Sequence, residues 1–294
     1  MSLETIAVLM PGDMGHAVGK VLGDHGHRVI TNLTGRGEHS RNLARAGNLE
    51  DVGSLGDVVG QAGLILSILP PSAALTLARE VAEEMGRQER FPVYVDCNAV
   101  SPQTAQEIGQ VIVGCGAPFI DAGIIGAAPG KGGVPRFYVS GADISPMAAL
   151  DGKGIQVLEA GKEIGQASAM KMAYAALTKG TWTLHTAIMM AAQQLGVRDE
   201  LMREFDNSQS AALAAMRARI PFIPADSARW VGEMEEIAAT FEQVGVTGDF
   251  HKGAADVFRI LEQTPYAQET RANIDRSRTL DEAVETFVQY LPKQ

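Results

Sequence analysis

The first half of the chain alternates short apolar runs with stretches of helical periodicity, and this alternation limits the folds that the sequence can adopt. The apolar runs cover residues 5–10, 27–33, 64–70, 92–98, 117–126 and 136–141. Short, continuous apolar runs are typical of strands that are buried on both faces. Buried strands that alternate with helices indicate a doubly wound parallel sheet, so we predict an N-terminal α/β domain.

The strand pattern ends near residue 160. Residues 164–196 form one long apolar segment of helical character, with Gly196 as its expected C-cap, and the remaining chain is helical with a break at 219–227. We predict an α/β domain over residues 1–161 and an all-α domain over residues 162–294, connected by the long helix. Because that helix is almost uncharged, we expect a partner subunit to cover it, which predicts a homodimer through the helical domain.

Charge and composition exclude several kinds of partner. The net charge of −10 would repel nucleic acid and anionic membranes, so we expect neither as a partner. The apolar runs fall short of the roughly 18 residues of a membrane span, and the N-terminus lacks the basic segment of a signal peptide. Cys97 and Cys115 have neither metal-site nor disulfide-framework spacing. We therefore predict a cytoplasmic protein without a metal site.

A glycine-containing turn follows the first predicted strand, in the segment IAVLMPGDMGHAVG. Gly12 and Gly15 occupy the second and third glycine positions of the pattern G-x-G-x-x-G, and Met10 occupies the first. Gly12 would let the backbone approach a pyrophosphate, and Gly15 would let the following helix pack on the sheet. Such a pair could form a turn and nothing more, but its place between a strand and a helix favours a dinucleotide site. We predict a Rossmann-type domain with cofactor contacts from Pro11, Gly12, Asp13, Met14 and Gly15.

The end of the second predicted strand, VITNLTGRGEHSR, bears on the identity of the dinucleotide. NAD-specific folds usually place Asp or Glu here to bind the ribose 2′-hydroxyl. This chain has Asn32 instead, followed by Thr34, Arg36 and Arg41, and arginine and hydroxyl donors suit a 2′-phosphate. We therefore predict NADP(H) in preference to NAD(H). The alternative is that both arginines are solvated loop residues.

Two more predicted strands end at the same edge of the sheet, in the segments SILPPS and VDCNAVSP. Ligands of open α/β sheets bind at the carboxyl ends of the strands, so we assign Leu69, Pro70 and Asn98 to the cofactor site. Ordinary turn formation is an equal alternative, because Pro, Ser and Asn are all common turn residues.

Four motifs together resemble the β-hydroxyacid dehydrogenase family, which are relatives of 6-phosphogluconate dehydrogenase. LMPGDMG is similar to that family's GLGxMG, DCNAVSP to its DxSTxxP, FIDAGIIGAAPG to its substrate motif DAPVSGG, and GQASAMKMAYA to its catalytic GxxxxxKxxNN. The resemblance covers the whole chain, with spellings that suggest a less characterised branch. It implies an NAD(P)-dependent oxidoreductase that interconverts an alcohol, such as a hydroxy acid, and an aldehyde or ketone by hydride transfer, and the residues after the second strand favour NADP.

The family's catalytic lysine falls on Lys171, the one charged residue between Glu163 and Lys179. The resemblance implies that this lysine is the general acid/base, which protonates a carbonyl oxygen during reduction. Its apolar surroundings agree, because buried lysines rarely lack a role, although a lysine that extends to the surface is the alternative. The family's first asparagine is here Tyr174, one helical turn further on. Its hydroxyl could polarise a carbonyl, or the ring could simply pack.

The substrate motif departs from the family, since Ile125 replaces its serine and Ala127 its second glycine. A small hydroxy acid is therefore in doubt, and an apolar pocket favours a larger, less acidic carbonyl compound. The family's cofactor-side lysine aligns roughly with Gly232, so a second lysine is missing. The predicted substrate contacts are Gly123, Ile124, Ile125, Gly126, Trp230 and His251.

His251 could reach the active site from the partner subunit of a dimer, or it could be an ordinary surface or core histidine. Two other functions remain open at this stage. One is an imine reductase on the same fold, which the retained lysine disfavours because a protonated lysine repels a cationic iminium. The other is a non-catalytic NADP-binding sensor, which would bind the cofactor without turnover.

Overall fold

A computed structural model describes residues 4–270 and 273–292, and the chain divides into two compact units, Met1–Met172 and Ala173–Gln294. The first unit contains an eight-stranded sheet in the order β3-β2-β1-β4-β5-β6-β7-β8. Its strands are β1 (Thr5–Leu9), β2 (Arg28–Thr31), β3 (Glu50–Asp51), β4 (Leu64–Ser67), β5 (Val93–Asp96), β6 (Phe119–Ile125), β7 (Arg136–Ser140) and β8 (Gln156–Gly161). The helices that connect them are α1 (Asp13–Asp24), α2 (Glu38–Ala46), α3 (Leu55–Gln61), α4 (Pro71–Gln88), α5 (Pro102–Gly114) and α6 (Ser145–Ala148).

The predicted doubly wound α/β sheet is confirmed, with two corrections. The pair β6–β7 is antiparallel, whereas the other neighbouring strands run parallel. Strands β3 and β8 were not predicted: β3 has two exposed residues, and β8 has no fully buried one. Neither strand carries the continuous apolar run that marks a strand buried on both faces. Both lie at the edges of the sheet, where one side needs no covering.

Each face of the sheet carries its own hydrophobic core. On one face, Val8, Val95 and Ile120 pack with residues of α1 and with Met147 of α6. On the other face, Ile65, Tyr94 and Phe119 pack with residues of α3, α4 and α5. Because alternate residues of a strand point to opposite faces, this second face also receives the residues two positions beyond Ile65, Tyr94 and Phe119. Those positions are polar and belong to the candidate site.

Helix α7 (Gln166–Gln194) is the predicted long helix, and it begins within two residues of the predicted start. Gly196, which was expected to end it, has a φ of +70° in the left-handed region. The division between the two units at residues 172–173 falls inside this helix, eleven residues after the domain boundary that the sequence predicted.

The second unit is helical, as predicted. It holds α8 (Arg198–Ser208), α9 (Ser210–Arg219), α10 (Pro224–Gln243), α11 (Asp249–Leu261) and α12 (Leu280–Phe287), with 3-10 turns at Ile220–Phe222, Pro265–Gln268 and Val288–Tyr290. The predicted break at 219–227 contains the first of these turns and the start of α10 at Pro224. Among the described residues, no helix is both long enough and apolar enough to cross a bilayer.

One side of α7 stays exposed in the second unit. Tyr174, Leu177 and Leu184 are 43%, 71% and 60% exposed, and they lie three and seven residues apart on one helical face. We call these three residues the apolar stripe. A single chain therefore leaves this side of α7 uncovered, and its cover by a partner subunit stays a prediction.

Candidate active site

The phosphate loop between β1 and α1 has the geometry that a dinucleotide requires. Met10, at the first glycine position of the pattern, adopts a φ of +61°, and its carbonyl accepts a hydrogen bond from the Gly12 amide at 2.7 Å. A Cβ at Gly15 would lie 3.2 Å from Val8 Cγ1, so close helix–sheet packing explains this glycine. A Cβ at Gly12 would meet no protein atom closer than 4.0 Å. The protein's own packing thus leaves room at Gly12, which fits close approach of a pyrophosphate.

Gly12 is the N-cap residue of α1, and no side chain caps this helix. The amides of the first turn therefore have no side-chain acceptor at the N-cap position. Asp13 is exposed in this turn, and Lys131 Nζ lies 3.9 Å from its carboxylate. Lys131 belongs to the glycine-rich loop between β6 and β7, and it brings a positive charge to the phosphate loop. The sequence analysis did not identify Lys131, because the phosphate pattern and this loop are more than a hundred residues apart.

The two predicted arginines after β2 differ in their contacts. The Arg41 guanidinium donates to the Leu33 carbonyl at 2.9 Å and to the Arg36 carbonyl at 3.1 Å, so it holds the loop together. Arg36 has a buried Nε with no hydrogen-bond partner. Because a buried guanidinium nitrogen without an acceptor is costly, Arg36 fits an anionic ligand group better than Arg41 does.

Asn32 and Thr34, the other two predicted residues of this loop, are also engaged within it. The Asn32 side-chain oxygen accepts a hydrogen bond from the Thr34 amide at 2.8 Å, and the Thr34 hydroxyl donates to the Gly53 carbonyl. Both contacts shape the turn that follows β2. They agree with the expected turn chemistry of Asn and Thr and leave Arg36 as the available donor.

Asn98 joins two strand ends beneath the predicted cofactor site. Its side chain is 2% exposed; its oxygen accepts from the Leu69 amide at 2.7 Å, and its nitrogen donates to Ser67 Oγ at 3.0 Å. The hydrogen bonds of the Asn98 side chain thus stabilise the conformation of the loop that carries Leu69 and Pro70. Pro70 is exposed and precedes α4 as its N-cap residue.

Four polar residues form a row across the sheet: three of them end β4, β5 and β7, and the fourth is the third residue of β6. In the strand register Ser67 lies opposite Asp96, Asp96 opposite Asp121, and Asp121 opposite Ser140. All four are completely buried. We call them the polar row. The sequence analysis did not identify Asp96, Asp121 or Ser140, although each is a polar residue that interrupts or ends an apolar strand.

The two carboxyl groups of the polar row have different environments. Asp121 accepts hydrogen bonds from the Gly165 and Ser168 amides and from the hydroxyls of Ser140 and Ser168, whereas Asp96 accepts from Asn98 and its Oδ2 has no partner. Burial and then the nearby Asp121 raise the pKa of Asp96 to about 8. Burial also raises the pKa of Asp121, but its four donors act against this. Asp96 therefore keeps its proton at neutral pH, and the hydrogen-bond donors around Asp121 favour the carboxylate form of that residue.

Lys171 is half-buried, and its ammonium donates a hydrogen bond to the Ile124 carbonyl at 2.9 Å. Gly123 makes this contact possible: a Cβ there would lie 2.7 Å from Lys171 Cβ and 2.8 Å from the Ala167 carbonyl. Helix α7 therefore lies directly on β6. Of the residues predicted around the substrate, the structure places Gly123, Ile124 and Lys171 together.

The other predicted substrate residues lie in several places. Ile125 is 2% exposed, and Gly126 is exposed with a φ of +121° at the end of β6. Trp230 and His251 belong to the second unit and are 6% and 8% exposed. Burial lowers the pKa of His251, whose ring meets Phe241 edge-on at 4.5 Å between centroids. These contacts agree with the core role that the sequence left open for His251.

Lys179, in the second unit, is a buried lysine. The position on α10 that aligns roughly with the family's lysine holds Gly232 instead. Lys179 of α7 pairs with Glu233 of α10 at 2.6 Å, and both side chains are less than a tenth exposed. Trp230 lies beside this pair, with its ring centroid 5.6 Å from Lys179 Nζ. In the described part of the chain, no three His, Cys, Asp or Glu residues are grouped as metal ligands would be.

Comparisons with known proteins agree with this geometry. Residues 5–151 match the family described as the NAD binding domain of 6-phosphogluconate dehydrogenase, and residues 192–261 match a domain of unknown function (DUF1932). An uncharacterized 28.5 kDa protein in the 7S RNA 5′ region of Methanothermus fervidus is 27% identical over 181 residues, which cover 62% of this chain and 68% of that protein.

Three solved structures show the same fold. The conserved protein MTH1747, whose structure resembles 3-hydroxyacid dehydrogenases, has a TM-score of 0.64 at 23% identity and covers 88% of this chain and 96% of its own. The 3-hydroxyisobutyrate dehydrogenase of Mycobacterium tuberculosis has a TM-score of 0.66 at 16% identity and covers 97% and 99%. An imine reductase variant from Myxococcus stipitatus has a TM-score of 0.55 at 16% identity and covers 92% and 97%.

The family match covers the phosphate loop, the end of β2 and the strand ends that the geometry joins into one site, and it extends over half of the chain. It identifies the bound cofactor as a nicotinamide dinucleotide and the reaction class as oxidoreduction. The chain belongs to the family of the 6-phosphogluconate dehydrogenase NAD-binding domain and is an NAD(P)-dependent oxidoreductase.

Proposed function

We propose that this protein is an NADP-dependent reductase or dehydrogenase that interconverts an alcohol and an aldehyde or ketone, with Lys171 as the general acid/base. The observation that carries the proposal is the half-buried Lys171 ammonium, which helix α7 holds 2.9 Å from the Ile124 carbonyl at the end of β6. In an open α/β sheet this end is where a ligand binds. A bound nicotinamide would supply or accept the hydride.

The residues around Lys171 explain how it could deliver a proton. The hydrogen bond to the Ile124 carbonyl fixes the position of the ammonium at the end of β6. During reduction Lys171 would give a proton to the carbonyl oxygen, and during oxidation it would take the proton back. Buried Ile125 adds an apolar neighbour, which supports a substrate less acidic than a small hydroxy acid.

The alternative is an imine reductase, since an imine reductase shares the fold. Lys171 supports the carbonyl reaction instead, because an ammonium repels the cationic iminium that such an enzyme would reduce. Tyr174, the second proposed catalytic residue, is 43% exposed and belongs to the apolar stripe, which supports the packing role that the sequence left open.

The first experiment measures NADPH oxidation with a panel of aldehydes, ketones and cyclic imines, and repeats each assay with NADH. We expect turnover with carbonyl compounds, most strongly with uncharged apolar ones, and a preference for NADPH. Turnover of imines alone would contradict the carbonyl reaction and identify the protein as an imine reductase. Cofactor binding without turnover of any compound would leave a binding protein.

Arg36 provides a test of the proposed cofactor preference. Replacing a donor to a phosphate removes charge-assisted hydrogen bonds, so Arg36→Ala should raise the dissociation constant of NADPH by about 10–100-fold and leave that of NADH unchanged. The matched control is Arg45→Ala, which removes an exposed arginine of α2 that pairs with Glu38. Titration of cofactor fluorescence gives both constants. Equal losses for NADPH and NADH would contradict a 2′-phosphate contact.

We also propose that the protein is a homodimer and that a second copy covers the apolar stripe. The three residues repeat at positions three and seven residues apart, a spacing that suits packing against an identical helix. The double variant Leu177→Glu/Leu184→Glu should therefore be monomeric in sedimentation equilibrium. Val244→Glu is the control, because Val244 is 73% exposed but lies outside the stripe. A monomeric wild-type protein would exclude this role of the stripe.

A further inference from the structure

The first turn of α7 is attached to the sheet through backbone amides. The Gly165 and Ser168 amides donate to Asp121 Oδ2 at 2.9 and 3.0 Å, and the Ser168 hydroxyl donates to Asp121 Oδ1 at 2.6 Å. The intervening Ala167 amide donates to Ser140 Oγ at 3.0 Å, and Ser140 donates to Asp121 at 3.1 Å. Strands β6 and β7 thus supply acceptors for three amides at the start of this helix.

We propose that Asp121 is a positioning residue whose carboxylate fixes the first turn of α7 on β6 and thereby sets where the Lys171 ammonium lies. The proposal rests on the proposed acid/base role of Lys171. It assigns no contact between Asp121 and the substrate.

The geometry links the two residues through the helix. Lys171 follows Ser168 by three residues, so the two side chains lie on one face of α7, one turn apart. Asp121 and Gly123 both point to this face from β6: Asp121 binds the amides, and Gly123 lets Lys171 Cβ approach. A displacement of the helix start would move Lys171 away from the Ile124 carbonyl. Misplacing a reacting group by about 1 Å can cost about 100-fold in rate.

The charge of Asp121 also suits its place. A helix N-terminus carries partial positive charge, and a carboxylate there is favourable. The titratable group that acts on the neighbouring Asp96 is Asp121 on β6, while burial and then Asp96 raise the pKa values of Tyr94 and Cys97. The four hydrogen bonds that Asp121 accepts favour its carboxylate form, which the α7 amides bind.

The test is a double-mutant cycle on the full-length protein, with NADPH and the best carbonyl substrate of the panel. Asp121→Asn keeps the size of the side chain but removes its charge and turns an amide group toward the N–H donors. We expect kcat to fall about 10–100-fold while the NADPH dissociation constant stays within about 3-fold. When Lys171 is already methionine, the same change should alter the residual rate by less than about 2-fold, because the group being positioned is gone.

A control separates positioning from general loosening. Ser54→Ala removes the N-cap of α3, where Ser54 Oγ accepts from the Asp57 amide at 3.0 Å in the same unit. It should lower the melting temperature but leave kcat within about 2-fold. If Asp121→Asn does not fold, Ser168→Ala replaces it in the double-mutant cycle. This variant removes the hydrogen bond from the Ser168 hydroxyl to Asp121, so we expect a smaller loss of kcat.

The outcomes distinguish the two proposals. Full activity of Lys171→Met would overturn the acid/base role and the positioning role with it. A large loss in Lys171→Met together with wild-type kcat in Asp121→Asn would overturn only the positioning role. Equal fold-losses from Asp121→Asn in the presence and absence of Lys171 would also overturn it, since the effect would then not pass through the lysine.

Discussion

Lys171→Met is expected to lower kcat by about 10²–10⁴-fold, the usual contribution of a general acid/base, while NADPH binds nearly as before. Methionine retains the length and the apolar stem of lysine, so the contact of α7 with β6 near Gly123 should persist. What is lost is the proton donor that the Ile124 carbonyl orients. Steady-state kinetics give kcat, and cofactor fluorescence gives the dissociation constant.

Two further variants sharpen this result. Lys171→Arg keeps a positive charge, but a guanidinium does not release its proton at neutral pH. If Lys171 contributes to kcat by proton transfer, this variant should be nearly as slow as Lys171→Met. Lys20→Met removes an exposed lysine of α1 that pairs with Asp24, and it should leave kcat unchanged. An active Lys171→Met enzyme would remove the proposed acid.

Asp96→Asn is expected to make the protein more stable at alkaline pH, by about 2–5 kcal/mol in free energy of unfolding at pH 9. Because burial raises the pKa of Asp96 to about 8, the folded protein keeps the proton between about pH 4 and pH 8, where the unfolded chain has released it. The contribution of Asp96 to the free energy of unfolding is therefore greatest below about pH 4, decreases as the pH rises to about 8, and is constant above about pH 8. Asparagine never ionises and does not show this decrease.

Urea unfolding of the wild type and the variant at pH 5 and pH 9 measures the effect. The difference between the two proteins should be larger at pH 9. Asp143→Asn serves as the control, because Asp143 is exposed and its hydrogen bonds to Ser145 lower its pKa, so it should give no gain at pH 9. An Asp96→Asn difference that is the same at both pH values would show that Asp96 is ionised throughout.

Local patterns in the sequence were enough to predict much of the fold. The apolar runs located β1, β2, β4, β5, β6 and β7, and the nearly uncharged segment located α7. A strand that is buried on both faces has a continuous run of apolar residues, which can be recognised in the sequence. Gly12 and Gly15 were identifiable from their spacing after a strand, and Lys171 was identifiable as the one charged residue of an apolar helical segment and from the family resemblance. The direction of β7 was not predictable in this way, since no property of a short strand records which way its neighbour runs.

The polar row could not be predicted, because strand register rather than sequence spacing creates it. Ser67, Asp96, Asp121 and Ser140 lie on four different strands, and they meet because the register aligns them. The different roles of Arg36 and Arg41 were hidden for a similar reason. Both were expected to bind a phosphate, and a folded loop was needed to show that Arg41 binds carbonyls of its own loop.

The polar row restricts where this chain can gain or lose residues during evolution. Side chains alternate between the two faces of a strand, so a single-residue insertion within β4, β5, β6 or β7 ahead of the row would turn one member toward the opposite helical layer. That change would leave a polar group among aliphatic side chains, and for Asp121 or Ser140 it would also break the hydrogen bonds to α7. Length variation among homologues should therefore concentrate in the turns, such as the exposed glycine-rich segment at residues 130–134, and spare these four strands.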